Sequence, residues 1–364
     1  MKLFAAIDIG SYEVEMKIFQ ITSGKGIKEI DCVCHRMELG KDVYRDGRIG
    51  VEMTDELCRV LNDFVRIMKG YRVDDWRVCA TSAVREAGNQ LVFLDRVKRH
   101  TGLEVEVLSN ASQRFMDYKS IASRENEFNR IIQKGTAIVD VGGGSIQISL
   151  FDKDRLVASQ NMKIGNLRLR ERMMNEGVSL KHYETLLTEV VKNEFLSYKK
   201  LYLKDRVISN LIVVGDHIGD AVHKNVMTRA DFLNFYDDMI YRSDEDAAGR
   251  CEVPEDVISV LRPSLVVYRC FLEAADVENI WMPGLHLTDG MAYEYAQQNR
   301  LLKLGHDFDE DILAAARNAA KRYQCSKSHI KVCEDLAVGI FDKIKKSQLE
   351  GNIAEIRQTL LLPE

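Results

Sequence analysis

The chain opens with three short runs of apolar or alternating residues, at positions 2–9, 14–21 and 27–35, which glycine and serine separate. Runs of this length with a period of two are typical of β-strands, so the pattern predicts a three-stranded meander. An amphipathic run that Thr54 begins and that ends near Lys69 predicts a helix. The same patterns then predict strands at 77–80 and 104–108 and helices at 90–101 and 111–126.

A second copy of the opening pattern starts at residue 136. The runs 136–145, 146–152 and 156–165 again predict a strand with a tight glycine turn and then two more strands. In both copies an aspartate ends an apolar strand, and glycine and then serine follow it. The first copy reads Asp8-Ile9-Gly10-Ser11, and the second reads Asp140-Val141-Gly142-Gly143-Gly144-Ser145. This internal repeat indicates two related lobes.

The pattern turns from mixed to helical in the last part of the chain. Beyond the repeat it predicts helices at 180–200, 229–241, 254–275 and 288–299 and strands at 210–214 and 279–282. After His306 only helical spacing remains, at 309–323 and 326–348. The sequence therefore predicts an α/β protein with lobe I at 1–124, lobe II at 125–300 and a helical segment at 301–364.

Composition and charge narrow the class of protein. The 364 residues are 46% hydrophobic and 29% charged with four prolines, which is enough apolar material for about two domains. No apolar run reaches the roughly 18 residues of a membrane span, and the first residues lack the layout of a signal peptide, so we expect a cytoplasmic protein. The net charge of −5 argues against a nucleic-acid binder. A polyanionic ligand must instead find a locally basic cleft.

Eight cysteines are scattered through predicted strands and helices, which fits reduced thiols better than a disulfide framework. One ligand-like cluster is present, Cys32-Val33-Cys34-His35. Because no second Cys/His pair follows at zinc spacing, a strand that turns two thiols to one face is the better interpretation of this cluster.

The two glycine turns suggest a phosphate site. A strand that ends in aspartate and enters a Gly/Ser turn exposes backbone N–H groups in a concave nest that suits phosphate oxygens. The carboxylates of Asp8 and Asp140 can hold Mg²⁺ or its water shell, and the hydroxyls of Ser11 and Ser145 add hydrogen-bond donors. Two such turns, one from each lobe, would face each other across a cleft. The alternative is that each is an ordinary β-hairpin turn.

At these residues the sequence resembles the exopolyphosphatase/guanosine pentaphosphate phosphohydrolase (Ppx/GppA) group of the actin-like ATPase superfamily. The first phosphate loop of that family is similar to FAAIDIGSYEV, and the second is similar to TAIVDVGGGSIQIS. Three further family segments resemble CATSAVREAGN, KIGNLRLRE and IWMPGLHLTDGM, so the matches cover roughly residues 1–300 in order. The resemblance implies a two-lobed actin-like fold (ASKHA, ribonuclease H-like) with duplicated lobes, and it places Arg85 in the cleft.

The resemblance also implies an activity. Ppx/GppA proteins hydrolyse the terminal phosphoanhydride of inorganic polyphosphate or guanosine pentaphosphate, with Mg²⁺ and a glutamate that acts on the attacking water, and they commonly form homodimers. Carried over residue by residue, the family pattern assigns metal binding to Asp8 and Asp140. It assigns phosphate binding to Gly10, Ser11, Arg85, Gly142, Gly143, Gly144 and Ser145.

The chain departs from the family pattern at the catalytic positions. Where the family has two glutamates at the start of a helix, this chain has Ser112 and Gln113, and Gln113 falls on the general-base position. An amide cannot accept a proton, and general-base catalysis is typically worth about 10²–10⁴ in rate. In the second loop Gln147 replaces another carboxylate, which should weaken metal binding.

The sequence therefore predicts a protein that binds polyphosphate or a phosphate-rich guanosine nucleotide between its lobes, with hydrolysis weak or lost. The alternative is an active exopolyphosphatase with a displaced carboxylate as base. The candidates are Glu13 at the first turn and Asp117 one helical turn beyond Gln113, although each could be a solvated surface acid. An actin-fold kinase is disfavoured, because Val214-Gly215-Asp216-His217 replaces the Gly-Gly-Thr that meets the adenosine side in nucleotide-using relatives.

Two further groups have both a functional and a structural interpretation. Five basic residues could line the cleft for a polyanion, although charged helix faces are usually only solvated. They are Arg114, Lys119, Arg168, Arg170 and Arg172. His217 could act as a base, but a single histidine in a glycine-flanked turn is more often structural or exposed.

The tail from about residue 301 resembles the opening helices of the HD-type domain that longer family members carry. The L-H-D-x-G metal motif of that domain does not occur in the printed sequence. Either the natural protein ends early or the sequence is part of a longer one, and no HD metal site is predicted.

Overall fold

The computed structural model describes residues 1–175, 180–203, 206–215, 217–302, 305–306 and 308–346. Asp216 and the predicted end of the last helix at residue 348 lie outside this part of the chain.

The first sheet has five strands in the order β3-β2-β1-β4-β5. Strand β1 (Lys2–Ile9) lies between β2 (Glu13–Thr22), to which it is antiparallel, and β4 (Asp75–Ala80), to which it is parallel. Strand β3 (Gly26–Arg36) completes the meander on one edge, and β5 (Val105–Val107) pairs parallel with β4 on the other. The predicted meander is confirmed.

The second sheet repeats this arrangement. Its strands are β6 (Thr136–Val141), β7 (Ile146–Asp152), β8 (Arg155–Met162), β9 (Asn210–Val214), β10 (Val226–Thr228) and β11 (Asn279–Trp281). The first three form an antiparallel meander, β9 and β11 continue the sheet in parallel from β6, and β10 is an added antiparallel edge. When the edge strand β10 is left out, the strand order in each sheet is third, second, first, fourth and fifth, which confirms the internal repeat that the sequence predicts.

Helices connect and cover the strands. In the first part of the chain they are α1 (Leu39–Asp46), α2 (Val51–Tyr71), α3 (Ser82–Glu86), α4 (Gln90–Thr101), α5 (Asn110–Ala122) and α6 (Glu125–Ile131). In the second part they are α7 (Asn166–Asn175), α8 (Leu180–Tyr198), a π-helical turn (Lys199–Leu203), α9 (Ile218–Val222), α10 (Arg229–Met239), α11 (Asp244–Cys251), α12 (Glu255–Ala274) and α13 (Leu287–Gln298). The chain continues in α14 (Phe308–Arg322) and α15 (Lys327–Lys346).

Two predicted helix boundaries are wrong. Helix α2 starts at Val51 rather than at Thr54, and the Thr54 hydroxyl donates a hydrogen bond to the carbonyl oxygen of Gly50 at 2.8 Å. A threonine can satisfy the backbone from inside the first turn as well as from the cap, so the residue type alone does not fix the start. The helix predicted at 111–126 is divided into α5 and α6.

Helix α13 follows the strands of the second sheet in the chain but packs on the first sheet and on α5. Apolar residues of β1 and β2, among them Phe4 and Phe19, form one buried cluster with Met116 of α5 and Met291 of α13. The stretch IWMPGLHLTDGM thus returns the chain to the first lobe. The division into segments 1–124, 125–300 and 301–364 stays a prediction, and α13 shows that contacts cross the boundary at residue 125.

A buried ion network reinforces this packing. Glu294 of α13 pairs with Lys119 of α5 and, at 2.5 Å, with Arg77 of β4. Arg77 also pairs with Glu106 of β5 at 2.8 Å. Because buried charges are costly unless they are paired, the network holds α13 and α5 in one relative position.

The last two helices differ in their contacts. Helix α14 lies against β8, and Phe308 and Ile312 join a cluster with Phe115, Tyr118 and Phe128. On α15 the side chains of Val332, Leu336 and Ile340 are exposed by about half or more. No helix within the described ranges is long and apolar enough to cross a membrane.

We predict that Gly290→Ala destabilises the protein by about 1–3 kcal/mol, because a Cβ at this position of α13 would collide with the backbone carbonyl of Met116 in α5. The matched control is Gly249→Ala in α11, where nothing lies within 4 Å of the added Cβ. There alanine should stabilise the helix by up to about 1 kcal/mol. Urea unfolding of both variants checks the pair, and equal effects would contradict the close approach of α13 to α5.

Candidate active site between the two sheets

Two hairpin turns of the same form follow β1 and β6. In the first, the Gly10 N–H donates to the carbonyl of Glu13 at 3.0 Å, and in the second the Gly142 N–H donates to the carbonyl of Ser145 at 3.0 Å. Each turn therefore has four residues and carries an aspartate two positions ahead of its first glycine. Both are hairpin turns, as the alternative interpretation has it, and both line a cavity.

The turns approach each other so closely that only glycine fits. A Cβ on Gly143 would come within 2.7 Å of the Ser11 Cβ, and a Cβ on Gly144 within 2.7 Å of the Ser82 hydroxyl. The Ser11 hydroxyl shares hydrogen bonds with Ser82 at 2.9 Å and with Tyr44 at 2.8 Å. The hydrogen-bonded side chains of Ser11, Ser82 and Tyr44 in the first lobe thus form the surface against which the second turn packs.

Backbone donors hold the second turn from outside. The N–H groups of Asn166 and Arg168, in the first turn of α7, donate to the carbonyls of Gly142 and Gly143, both at 3.0 Å. In a trans peptide the N–H points opposite to the carbonyl. The N–H groups of Gly143 and Gly144 therefore point away from α7.

The cavity between the turns measures about 120 Å³, and its walls are acidic. Five carboxylates of the described residues line it, from Asp8, Glu13, Glu15, Asp117 and Asp140. Among the described lining residues the groups that can carry positive charge are two histidines, His217 and His286, and there is no lysine or arginine.

Burial and mutual repulsion raise the pKa of two of these acids. Burial, and after it the charges of Glu15, Glu13 and Asp140, raises the pKa of Asp8 well above its usual value. Burial, followed by the charges of Asp140 and Asp8, does the same for the pKa of Asp117. One buried oxygen of each, Oδ1 of Asp8 and Oδ2 of Asp117, has no hydrogen-bond partner in the described structure. The site therefore concentrates more negative charge than its own residues neutralise.

This donor set fits a hard divalent cation. Within the described residues, no three His, Cys, Asp or Glu side chains are grouped so that they alone could hold a metal ion. Mg²⁺ usually takes only one or two protein carboxylates and completes its shell with waters and substrate phosphates. Asp8 and Asp140 at the tips of β1 and β6 suit that role, and the unpartnered Oδ1 of Asp8 is consistent with it. Mg²⁺ itself stays a prediction.

Gln113 occupies the first turn of α5 and faces Asp140. Its Nε2 donates to Oδ2 of Asp140 at 3.3 Å, and its Oε1 accepts from Nη1 of Arg85 at 3.5 Å. Arg85 also donates to the carbonyl of Leu108 at 2.5 Å. Ser109 caps the helix by accepting from the N–H of Ser112. The amide therefore stands between an arginine and an aspartate and lines the cavity.

A model of the Ppx/GppA phosphatase family matches residues 17–299, which is most of the chain. The chain belongs to this family.

Curated relatives carry three different names. The guanosine-5'-triphosphate,3'-diphosphate pyrophosphatase of Photobacterium profundum is 20% identical over 360 residues, 96% of this chain and 69% of that protein. Exopolyphosphatase 2 of Mycobacterium tuberculosis is 27% identical over 180 residues, 47% of this chain and 54% of that protein. The bifunctional 3-dehydroquinate synthase/phosphatase of Fusobacterium nucleatum is 26% identical over 180 residues, and this match covers 26% of that protein. The chain thus spans about half of the length of the Mycobacterium tuberculosis protein and about a quarter of the length of the Fusobacterium nucleatum protein.

Solved structures share the fold. An exopolyphosphatase from Cytophaga hutchinsonii superposes with a TM-score of 0.72 at 17% identity, over 84% of this chain and 100% of the other. The Aquifex aeolicus family member superposes with a TM-score of 0.66 at 22% identity, over 82% and 98%. Together with the repeated strand order, these likenesses confirm the two-lobed α/β fold of Ppx/GppA type that the sequence predicts.

The structure brings most of the family-matched positions to the cavity wall. Those that line it are Asp8, Gly10, Ser11, Gln113, Asp140, Gly142, Gly143 and Ser145. Gly144 packs against Tyr44 and Ser82, and Arg85 lies behind Gln113. Gln147 is 3% exposed in β7, paired across the sheet with Asp140, and neither polar atom of its amide has a partner in the described structure. It is not a wall residue.

Asp117 is not the solvated acid that its helical position also allowed. It is only 5% exposed and lines the cavity one turn beyond Gln113. Glu13 lines the cavity as well, 3.9 Å from Nε2 of His217. Gly215, two residues before His217 in the chain, lines the cavity too.

The five basic residues considered as a polyanion lining do not form one. Lys119 pairs with Glu294, Arg168 with Glu86 at 2.9 Å, and Arg170 with Glu38. Arg114 and Arg172 are not cavity residues either. Arg168 still serves the site, because its Nε donates to the carbonyl of Gly144 at 2.9 Å.

Sequence reasoning missed a polar pair beside the turns, in which Glu15 is buried and His286 is partly exposed. Glu15 of β2 accepts hydrogen bonds from Nδ1 of His286 at 2.5 Å and from the Thr288 hydroxyl at 2.8 Å. Lys17 pairs with Asp289 at 2.9 Å on the same face. The signal was present in the alternation of Glu13, Glu15 and Lys17 along an otherwise apolar strand.

We predict that the free energy of unfolding falls as the pH rises above neutrality and that part of this fall depends on His286. Burial alone would lower the pKa of this imidazole, but the hydrogen bond and charge of Glu15 raise it to about 9. A group with a raised folded pKa stabilises the protein fully below its unfolded pKa, near 6.5, and that contribution disappears as the pH rises through 9. Because the side chain is partly exposed, the expected loss is on the order of 1 kcal/mol.

Urea unfolding between pH 6.5 and pH 9.5 tests this, with His286→Gln as the comparison. The free energy of unfolding should fall with pH in the native chain by more than in the variant. Parallel pH profiles would show that the Glu15–His286 pair carries no such contribution.

Proposed function

We propose that this chain hydrolyses the terminal phosphoanhydride of inorganic polyphosphate or of a phosphate-rich guanosine nucleotide, bound between the two glycine turns with a divalent cation. The observation that carries the proposal is the position of Asp117, a buried carboxylate in the cavity wall one helical turn from Gln113. The names of the relatives, an exopolyphosphatase and a guanosine-5'-triphosphate,3'-diphosphate pyrophosphatase, support the substrate class.

The turns supply the phosphate contacts in this proposal. The N–H groups of Gly143 and Gly144 are turned away from the helix that binds the neighbouring carbonyls, and Ser11 and Ser145 add hydroxyls. Five carboxylates would repel a phosphate chain from the bare cavity. A divalent cation on Asp8 and Asp140 would reduce this repulsion and would neutralise charge on the terminal phosphate as its bridging bond breaks.

Asp117 is the proposed general base. Water attacks the terminal phosphorus, a new P–O bond forms, and the bridging P–O bond breaks to release a chain shorter by one phosphate. The carboxylate of Asp117 accepts the proton that the water loses. Burial, and after it the charges of Asp140 and Asp8, raises the pKa of Asp117, and a higher pKa makes a carboxylate a stronger proton acceptor. Gln113 orients this region by donating to Asp140 and keeps no proton-accepting role.

A second candidate is a protein that binds the same ligands without turnover. The observation that favours it is the amide of Gln113, which occupies the position of the family's general base. This amide donates a hydrogen bond to Asp140 at 3.3 Å. In this case Asp117 would serve only to bind the cation or to shape the cavity.

We predict that phosphate release from long-chain polyphosphate or guanosine pentaphosphate requires Mg²⁺ and falls by about 10²–10⁴ in Asp117→Asn, because the base is lost while the shape is kept. Asp140→Asn should abolish it through loss of the cation. The matched control is Asp237→Asn, at an exposed acid of α10 that does not line the cavity. A colorimetric phosphate assay measures all four proteins.

Further variants separate the two candidates. If Asp117 is the base, Gln113→Glu should restore turnover in the Asp117→Asn background, since it returns a carboxylate to the family position. If the native chain is silent and the double variant Gln113→Glu, Gln147→Glu gains turnover, the binding protein is the better description. An Asp117→Asn variant as active as the native chain would exclude Asp117 as the base, and Glu13→Gln would then be the next variant to assay.

The homodimer and the cytoplasmic location that the family resemblance and the sequence imply stay predictions. Light scattering of the purified chain, which measures its mass in solution against 41.6 kDa for one copy, tests the first.

A further inference from the structure

A second cavity carries the positive charge that the central one lacks. It measures about 450 Å³ and lies between the π-helical turn after α8, Arg206 and the end of α14. Within the described part of the chain, four cations line it, Lys200, Arg206, Lys321 and Arg322. No aspartate or glutamate is among its described lining residues, and none of the four cations forms an ion pair with a carboxylate of the described chain. We call this cavity the basic pocket.

Aromatic stacking and hydrogen bonds hold the pocket in shape. The Arg322 guanidinium lies over the Tyr202 ring at 4.1 Å, and Tyr202 stacks on Tyr198 with ring centroids 5.0 Å apart. The Tyr202 hydroxyl donates to Gln160 of β8 at 3.0 Å, and Nε of Arg206 donates to the Tyr202 carbonyl at 3.0 Å. Two arginines are thus fixed, while the exposed Lys200 and Lys321 side chains can adapt to a ligand.

The basic pocket is separate from the cavity between the turns. Arg206 also contacts the space beside Gly135 and Ile208, at the amino-terminal ends of β6 and β9, whereas Asp140 stands at the carboxyl end of β6. At about 3.3 Å per residue, the length of β6 puts roughly 15–20 Å between the two places. The two cavities share no lining residue.

Four cations without described acidic partners repel one another, in a chain whose net charge is −5. An anion relieves that repulsion. A single phosphate carries at most about two negative charges near neutral pH, so four cations match a run of linked phosphates better than one group. The planar forks of two arginines suit phosphate oxygens, and two flexible lysines suit further charges along a chain.

We propose that the basic pocket is a second ligand site, independent of the proposed catalytic cavity, which binds a run of two or more linked phosphates. Such a run can come from an inorganic chain or from the tail of a nucleotide. Unlike the acidic cavity, the pocket needs no divalent cation to attract it, and this difference makes the proposal testable whatever the catalytic activity proves to be.

Isothermal titration in EDTA tests the proposal with tripolyphosphate, GTP and inorganic phosphate as probes. Tripolyphosphate should bind the native chain, and the double variant Lys200→Ser, Lys321→Ser should bind it about tenfold more weakly, because two charge-assisted contacts are lost. The control is Lys224→Ser, Lys331→Ser, which removes the same charge from exposed lysines outside the pocket and should bind as the native chain does.

The probes also separate the sources of the ligand and the two sites. Equal affinity for tripolyphosphate and GTP supports recognition of the phosphate run alone, and tighter GTP binding supports a nucleotide. Asp140→Asn should leave binding in EDTA unchanged even though it abolishes the proposed hydrolysis. The proposal is overturned if tripolyphosphate does not bind without divalent cations, if the pocket variant binds like the control, or if inorganic phosphate binds as tightly as tripolyphosphate.

Discussion

The close approach of two glycine turns is the constraint on which the site depends. Because Gly143 and Gly144 have no Cβ, the second turn can approach Ser11 and Ser82 of the first lobe closely. This approach brings the aspartates at the tips of β1 and β6 to one small cavity. Their carboxylates then face three more from Glu13, Glu15 and Asp117. Burial, and after it the charges of the neighbouring carboxylates, raises the pKa of Asp8 and of Asp117.

Charge is therefore segregated in this molecule. Several of the lysine and arginine side chains near the interlobe cavity are engaged in structural ion pairs, as Arg168 with Glu86 and Lys119 with Glu294 show. Cations without described acidic partners gather instead at the opposite end of the second sheet. Under the two proposals, a phosphate chain would meet two different environments, one that attracts it directly and one that accepts it only together with a positive ion.

The sequence was sufficient for features that depend on local pattern. Period-two runs and the repeated Asp-x-Gly predicted both meanders and the position of Asp8 and Asp140, because a strand and its turn are encoded by adjacent residues. It could not decide whether Asp117 is buried, since a helix face shows its neighbours only once α5 is packed between the sheet and α13. The partners of Lys119 and Arg170 were hidden for the same reason, as Glu294 and Glu38 lie far away in the sequence.

The position of Asp117 depends in turn on α13, a helix that the predicted division of the chain places in lobe II. Helix α5 belongs to the first part of the chain, but α13, which arrives after the second sheet, clamps it through Gly290 and through the pairing of Glu294 with Lys119 and Arg77. If Asp117 acts in place of a carboxylate at position 113, one helical turn away, α5 must be held rigidly at the depth that brings Asp117 to the phosphate. The long-range packing of α13 is thus as much a part of the site as the two turns, although no residue of its buried ion network lines the cavity.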